Sequence, residues 1–129
     1  MRKVTKTDDE WKAQLPDLAY EVTRKGATEK PFINHDFPKT SGQFVCICCG
    51  VTLFDSHTKF DSGSGWPSFF DKTNNGSITE KSDTTFGMVR TEVCCSICDA
   101  HLGHLFPDGP KPTGQRYCIN GAALAFKSE

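Results

Sequence analysis

The sequence contains no apolar run near the roughly 20 residues needed to cross a bilayer, which excludes a membrane-spanning helix. It also lacks an excess of one charge. Fifteen Lys and Arg face 16 Asp and Glu, for a net charge of −1, and the two signs are mixed along the chain. The basic footprint of a nucleic-acid binder is therefore absent. No apolar segment follows the basic residues of "MRKVTKTDDEW", so no secretory signal is visible. A cytoplasmic location is expected, with an organelle left open because a transit peptide could already have been removed. There are no useful internal repeats and no low-complexity tract. The cysteine count lacks parity: seven thiols cannot all pair internally. Without a secretory signal, clustered cysteines point to metal binding or catalysis in a reducing compartment.

A chain of 129 residues has room for one core, so a single domain over 1–129 is expected, with a helical flank over 1–40 and a β core over 41–129. Thr7 followed by Glu10 has the form of a capping box and opens the helical stretch "DDEWKAQL". Pro16 suits the first turn of a second helix, and Gly26 suits its end. From about Gln43 the character changes. Short β-prone runs ("GQFVC", "SITEKS", "FGMVRTEV", "ALAFK") alternate with the turn chemistry of "DSGSG", "TNNG" and "PDGPKPTG". The expected fold is mainly β and antiparallel, with short N-terminal helices.

Two C-x-x-C pairs, Cys46/Cys49 and Cys95/Cys98, can close a tetrahedral four-thiolate site around one structural Zn²⁺. Residues 50–94 separate the pairs, more than a zinc ribbon usually has, so the metal would clip together distant parts of a sheet. Cys48 and Cys94 sit beside these ligands, but C-x-C and C-x-x-x-C give poorer turns. They are left as small side chains of no assigned role.

Cys118 lies in "QRYCIN". On a strand, Arg116, Cys118 and Asn120 share one face, while Tyr117 and Ile119 take the other. Those residues leave two readings open: an inert strand cysteine, or a thiol beside a guanidinium and an amide, which favour its thiolate. "HLGHLFPDG" adds His101, His104 and Asp108 as possible proton donors and orienting groups; Gly103 argues against a helix there. Taken singly, each histidine is more often structural. Trp66 follows a Gly/Ser-rich loop and could wall an apolar pocket, although a core tryptophan is the simpler reading. That loop has no lysine or helix arranged for phosphate.

In combination, "EWKAQL", "TEKPF", "FVCICCGVTLF", "KFDSGSGWPSF", "GMVRTEVCCSICDAHLGHLFPDGP" and "RYCIN" resemble the methionine-R-sulfoxide reductase B family over nearly the whole chain. The resemblance implies two antiparallel β-sheets in a small barrel-like domain, with one structural zinc distant from the active site. It implies that Cys118 attacks the sulfoxide sulfur and becomes a sulfenic acid, releasing methionine. Trp66 matches the aromatic against the substrate methyl, with Phe106 beside the same pocket. His101 and His104 match the histidines that bind and protonate the sulfoxide oxygen. Asp108, Arg116 and Asn120 match the supporting polar groups. Oxidised proteins carrying methionine-R-sulfoxide, possible free methionine sulfoxide, and thioredoxin or another thiol would be its partners, in oxidative-stress protein repair. Nothing demands more than a monomer, a membrane or a nucleic acid.

The chain departs from the family pattern at Ser64, where many members carry a resolving cysteine, and at Gly121, where serine is common. Without that cysteine the sulfenic acid would be reduced directly by an external thiol, or Cys48 or Cys94 would take over. Two other readings compete. A non-catalytic zinc-ribbon-like binding module accounts for the C-x-x-C pairs alone. A C-x-x-C disulfide oxidoreductase would require a βαβ pattern, which is not found.

Overall fold

The computed structural model describes residues 3–34, 36–84 and 87–129. Helix α1 spans Asp8–Gln14 and begins with the expected capping box: the Glu10 amide donates to the Thr7 hydroxyl, and the Thr7 amide to the Glu10 carboxylate. Helix α2 spans Asp17–Lys25, with Pro16 just ahead of it and Gly26 closing it in the left-handed region. Its buried face carries Ala19, Tyr20, Val22 and Thr23. Arg24 lies over the Trp11 ring at 4.5 Å and donates to the Cys98 carbonyl at 2.7 Å, which ties the helical flank to the second C-x-x-C turn.

Among the described residues, nine strands follow: β1 Gly42–Cys46, β2 Thr52–Asp55, β3 Lys59–Phe60, β4 Ser68–Phe69, β5 Ile78–Asp83, β6 Arg90–Cys95, β7 His101–Phe106, β8 Arg116–Ile119 and β9 Leu124–Ser128. They form two antiparallel sheets, ordered β2-β1-β9 and β3-β4-β8-β7-β6-β5. The sheets stay open, so the barrel-like closure expected from the sequence does not occur. Strand β6 also starts later than "FGMVRTEV" suggested, at Arg90; Gly87–Val89 lie outside it, and Phe86 falls outside the described residues. Among the described residues no helix is long and apolar enough to cross a membrane.

The core fills the space between the sheets. Phe54 and Phe69 stack at 4.2 Å, Phe44 meets Phe69 edge-on at 5.0 Å, and Tyr117 tilts against Phe54 at 5.5 Å. Val93, Leu102 and Ile119 are completely buried. Burial pushes the Tyr117 hydroxyl up to about 12, as expected when a phenolate would have no solvent. Because β8 turns Tyr117 and Ile119 inward, Cys118 is directed to the outer face of the six-stranded sheet.

Two glycines allow backbones to meet around that cysteine. A methyl on Gly103 would run into the Cys118 carbonyl oxygen, and one on Gly121 would run into the Asn34 carbonyl. The absence of serine at 121 is thus matched to the path of this chain near Asn34. Gly103→Ala is expected to force β7 and β8 apart and lower stability by about 1–3 kcal/mol, read as a fall in chemical-denaturation midpoint. An unchanged midpoint would show that the strands yield freely there.

Candidate metal centre and thiol site

The two C-x-x-C turns repeat one hydrogen-bond pattern. The Gly50 amide donates to the Cys46 carbonyl at 2.8 Å, and the Asp99 amide to the Cys95 carbonyl at 2.9 Å. The Cys46 amide donates to Val51, and the Cys95 amide to Ala100. Gly50 and Asp99 occupy the same place, and both have positive φ, 80° and 63°. Each turn presents two thiols. The sulfurs of Cys46 and Cys98 are 3.6 Å apart, those of Cys49 and Cys95 3.7 Å, and all four lie within 4.8 Å of one another. A tetrahedral zinc with sulfurs at about 2.3 Å spaces them about 3.8 Å apart, so the donor set fits that ion without rearrangement. The first turn joins β1 to β2 and the second joins β6 to β7. The clip therefore links the two sheets to each other, rather than distant parts of one sheet.

Strand pairing builds a row across the outer face of the larger sheet: Lys81, Glu92, His104, Cys118, Ser68 and Phe60 are successive cross-strand partners. His104 and Cys118 are thus immediate neighbours. In an unbroken strand His101 would face the opposite side from His104, because their spacing is odd. A bulge prevents this. Val93 pairs with Gly103 while Cys94 pairs with His101, so Leu102 is the extra residue in β7. Both histidines consequently reach one face, with ring centroids 5.6 Å apart.

Each imidazole has a carboxylate partner that sequence reasoning missed. His101 Nδ1 donates to Glu92 at 2.7 Å, and His104 Nε2 donates to Asp83 at 2.8 Å. Burial pushes the Glu92 carboxyl upward, but hydrogen bonds from His101 and Cys94 outweigh it and hold Glu92 below the usual carboxylate range. Arg116 is fixed on two sides: it contacts both Asp108 oxygens at 2.9 and 3.2 Å, and its guanidinium lies 4.4 Å over the Phe106 ring. The Asp108 carboxyl is held down by those hydrogen bonds. Phe106 thus serves here as the platform for Arg116.

Of the two readings open for Cys118, its surroundings do not favour the thiolate. Burial pushes its thiol up. The Arg116 charge, with hydrogen bonds from Ser64 and Arg116, offsets only part of that shift. Asn120 lies one residue past β8 and is buried, so it does not line the outer face with Arg116 and Cys118. Its amide group spans two segments: Nδ2 donates to the Leu102 carbonyl at 3.0 Å, and Oδ1 accepts from the Glu29 amide at 3.0 Å. Glu29, only 3% exposed, was also missed. Its carboxylate accepts from the Gly121 and Ala122 amides, and its carbonyl accepts the Trp66 indole N–H at 3.0 Å. The stretch "TEKPF" held that residue, but nothing local announces a buried carboxylate. Ser62 links Ser64 and Ser68 at 2.7 and 2.8 Å, forming a hydroxyl chain beside the thiol.

Cys94 is buried on the outer face, its sulfur 3.3 Å from Glu92, and burial pushes its thiol up to about 12. Cys48 is buried near Thr23, in the turn between β1 and β2.

A four-thiol clip between two open sheets, with a separate thiol among imidazoles, arginine and indole, defines a zinc-type β protein carrying a cysteine site. The SelR domain family matches residues 15–128. A protein of Hahella chejuensis named peptide methionine sulfoxide reductase MsrB is 55% identical over 129 residues, covering 99% of this chain and 93% of that protein. Proteins of the same name from Pseudomonas putida and Herminiimonas arsenicoxydans are 54% and 55% identical. They cover 98% and 96% of this chain, and 96% and 91% of their own lengths. The chain belongs to the methionine-R-sulfoxide reductase B family.

Removing the metal is expected to abolish the fold, since no hydrogen bond replaces four thiolate bonds. A strong chelator, or Cys95→Ser, should eliminate the native near-ultraviolet circular dichroism. A metal-free protein with an unchanged spectrum would refute the structural role.

Proposed function

We propose that this chain reduces the R epimer of methionine sulfoxide in proteins, with Cys118 as the nucleophile. As a member of its family it is an oxidoreductase of the peptide methionine sulfoxide reductase type. The observation that carries the residue assignment is the outer-face row, which sets Cys118 beside His104 and Ser68, with His101 brought over by the bulge.

The Cys118 sulfur attacks the sulfoxide sulfur, the oxygen passes to the enzyme, and methionine leaves. The atoms balance without a proton from solvent: one thiol plus one sulfoxide gives one sulfenic acid plus one thioether. The thiol proton is therefore the proton the oxygen needs. A neutral resting Cys118 suits this step, because the same proton can be relayed through His104 or His101 to the departing oxygen. Glu92 and Asp83 orient the two rings, while Arg116, held by Asp108 and Phe106, stabilises negative charge developing on Cys118. Trp66, with its N–H bound to the Glu29 carbonyl, presents an apolar wall to the substrate methyl. Asn120 positions rather than reacts, since its amide is occupied by Leu102 and Glu29. The four zinc ligands leave no open coordination position, so the metal's contribution is structural.

The sulfenic acid is reduced directly by thioredoxin or another thiol: two external thiols become a disulfide, releasing water and Cys118. Ser64 cannot form a disulfide. Cys94 lies on β6 with β7 between it and β8, about 10 Å away at strand spacing, and a disulfide needs Cα atoms within roughly 7 Å. Cys48 belongs to the metal-bearing turn.

A dithiothreitol assay on dabsyl-methionine sulfoxide should show turnover of the R epimer alone, and Cys118→Ser should lower it by at least a thousandfold. Retained activity in that variant would end the nucleophile assignment. After one turnover without reductant, dimedone should label Cys118. A disulfide to Cys48 or Cys94 would overturn direct recycling.

Because Cys118 is raised, its site-specific alkylation by iodoacetamide should accelerate with a midpoint above the ordinary thiol value. The neutral thiol dominates below that midpoint and the thiolate above it. Arg116→Gln should move it higher still. A midpoint below the ordinary thiol value, or one unmoved by the substitution, would contradict this electrostatic account.

A further inference from the structure

The proposed reaction leaves Cys94 without a role. The β7 bulge sets it directly across from His101, with Glu92 two residues before it on the same face. Cys94 Sγ lies 3.3 Å from Glu92 Oε2, which lies 2.7 Å from His101 Nδ1, and the three ligand atoms fall within 4.8 Å of one another. Cys94 and His101 are buried, while the Glu92 side chain is 28% exposed and leaves a way in. Thiolate, imidazole and carboxylate together are a donor set for zinc and its neighbours rather than for magnesium or calcium. Tetrahedral zinc would space adjacent O, N and S ligands about 3.3–3.6 Å apart. The Cys94–Glu92 separation already matches, and the Glu92–His101 pair must open by about half an ångström, which a turn of the carboxylate can supply.

We infer that Glu92, Cys94 and His101 form a second, open-coordination site for a zinc-class divalent cation, and that filling it takes His101 out of the reaction. The site shares no ligand with the four-cysteine centre, because strand alternation points Cys94 and Cys95 to opposite faces of β6. Binding displaces the Cys94 thiol proton into solvent, while the single N–H of His101 moves from Nδ1 to Nε2 so that Nδ1 can face the cation. The imidazole remains neutral, with its proton on Nε2. Three protein ligands leave a fourth position for water, unlike the closed structural site. The binding claim stands on these distances alone; the inhibition rests on the proposed role of His101.

Calorimetric titration of zinc into protein whose four-cysteine site is already loaded tests the binding claim. Wild type should take one further equivalent. Cys94→Ser and Cys94→Ala should bind it at least tenfold more weakly, with the first zinc retained in all three. No further equivalent in wild type, or one unchanged in both variants, would overturn the site. Activity is read separately as methionine formed in a single turnover, so that no thiol reductant competes for zinc. Added zinc should slow wild type at least tenfold and leave both Cys94 variants at their metal-free rate. Equal slowing of all three would overturn the inhibition. If wild type binds the second zinc but shows no slowing, the site stands and the proposed role of His101 falls. Loss of activity in Cys118→Ser is independent of all these outcomes.

Discussion

The extra residue at Leu102 is the constraint on which the outer face depends. A regular β7 would send His101 into the core and His104 outward, and a buried imidazole among Val93 and Ile119 would lack a partner. The bulge costs a ladder position, and its carbonyl must be satisfied elsewhere. Asn120 supplies both missing donors: its backbone amide and its Nδ2 reach the Leu102 carbonyl at 2.9 and 3.0 Å. Asn120 is in turn held by the Glu29 amide, and Glu29 holds Trp66 and the turn after Ile119. The indole, the bulged carbonyl of β7 and the turn after β8 thus share one buried hydrogen-bond chain. Displacing one member shifts the others.

The metal clip constrains the other end of the same hairpin. Cys95 ends β6 and Cys98 leads into β7, so the metal turn and the bulge bracket only a few residues. Register is firmly specified where one face of a strand is buried, as Val93, Cys95 and Leu102 are here. Here the four clustered thiols lie at one end and Asn120 holds the other. Arg24 and Lys3 add bonds from the N-terminal flank onto the Cys98 and Ser96 carbonyls. The helical flank therefore serves the hairpin's geometry, although its own residues perform no chemistry.

Much of this was legible in the sequence. The Thr7/Glu10 capping box, the Pro16 and Gly26 boundaries, the paired C-x-x-C turns and the inward turn of Tyr117 and Ile119 are local patterns, and local physics produced them; Asn120, just past the strand, broke the alternation. What escaped was non-local. Glu29, Glu92 and Asp83 act through partners far along the chain, and the side chains themselves carry no mark of that. The bulge was invisible because H-L-G-H spacing reads equally as a loop or a strand. The barrel-like shape came with the family resemblance rather than from any local pattern, and the two sheets stay separate. The direction of the Cys118 shift stayed open because neighbouring charge is readable from a strand, whereas depth of burial is not, and burial dominates here.

Two adjacent cysteines show how cleanly the pleat divides labour. Cys95 points inward and joins three other thiols from two turns, in a group that could hold one metal ion. Cys94, one residue earlier, points outward and meets a carboxylate and an imidazole instead. Had the hairpin slipped by one residue, the two would exchange faces, placing a carboxylate in the core and a metal ligand in solvent. Burial of Val93, Cys95 and Leu102 on the inner face opposes that slip, and a four-thiol site would accept only the inward cysteine. The same constraint that builds the structural centre therefore places the second thiol beside His101, where a mobile cation could compete with a proton for the reacting face.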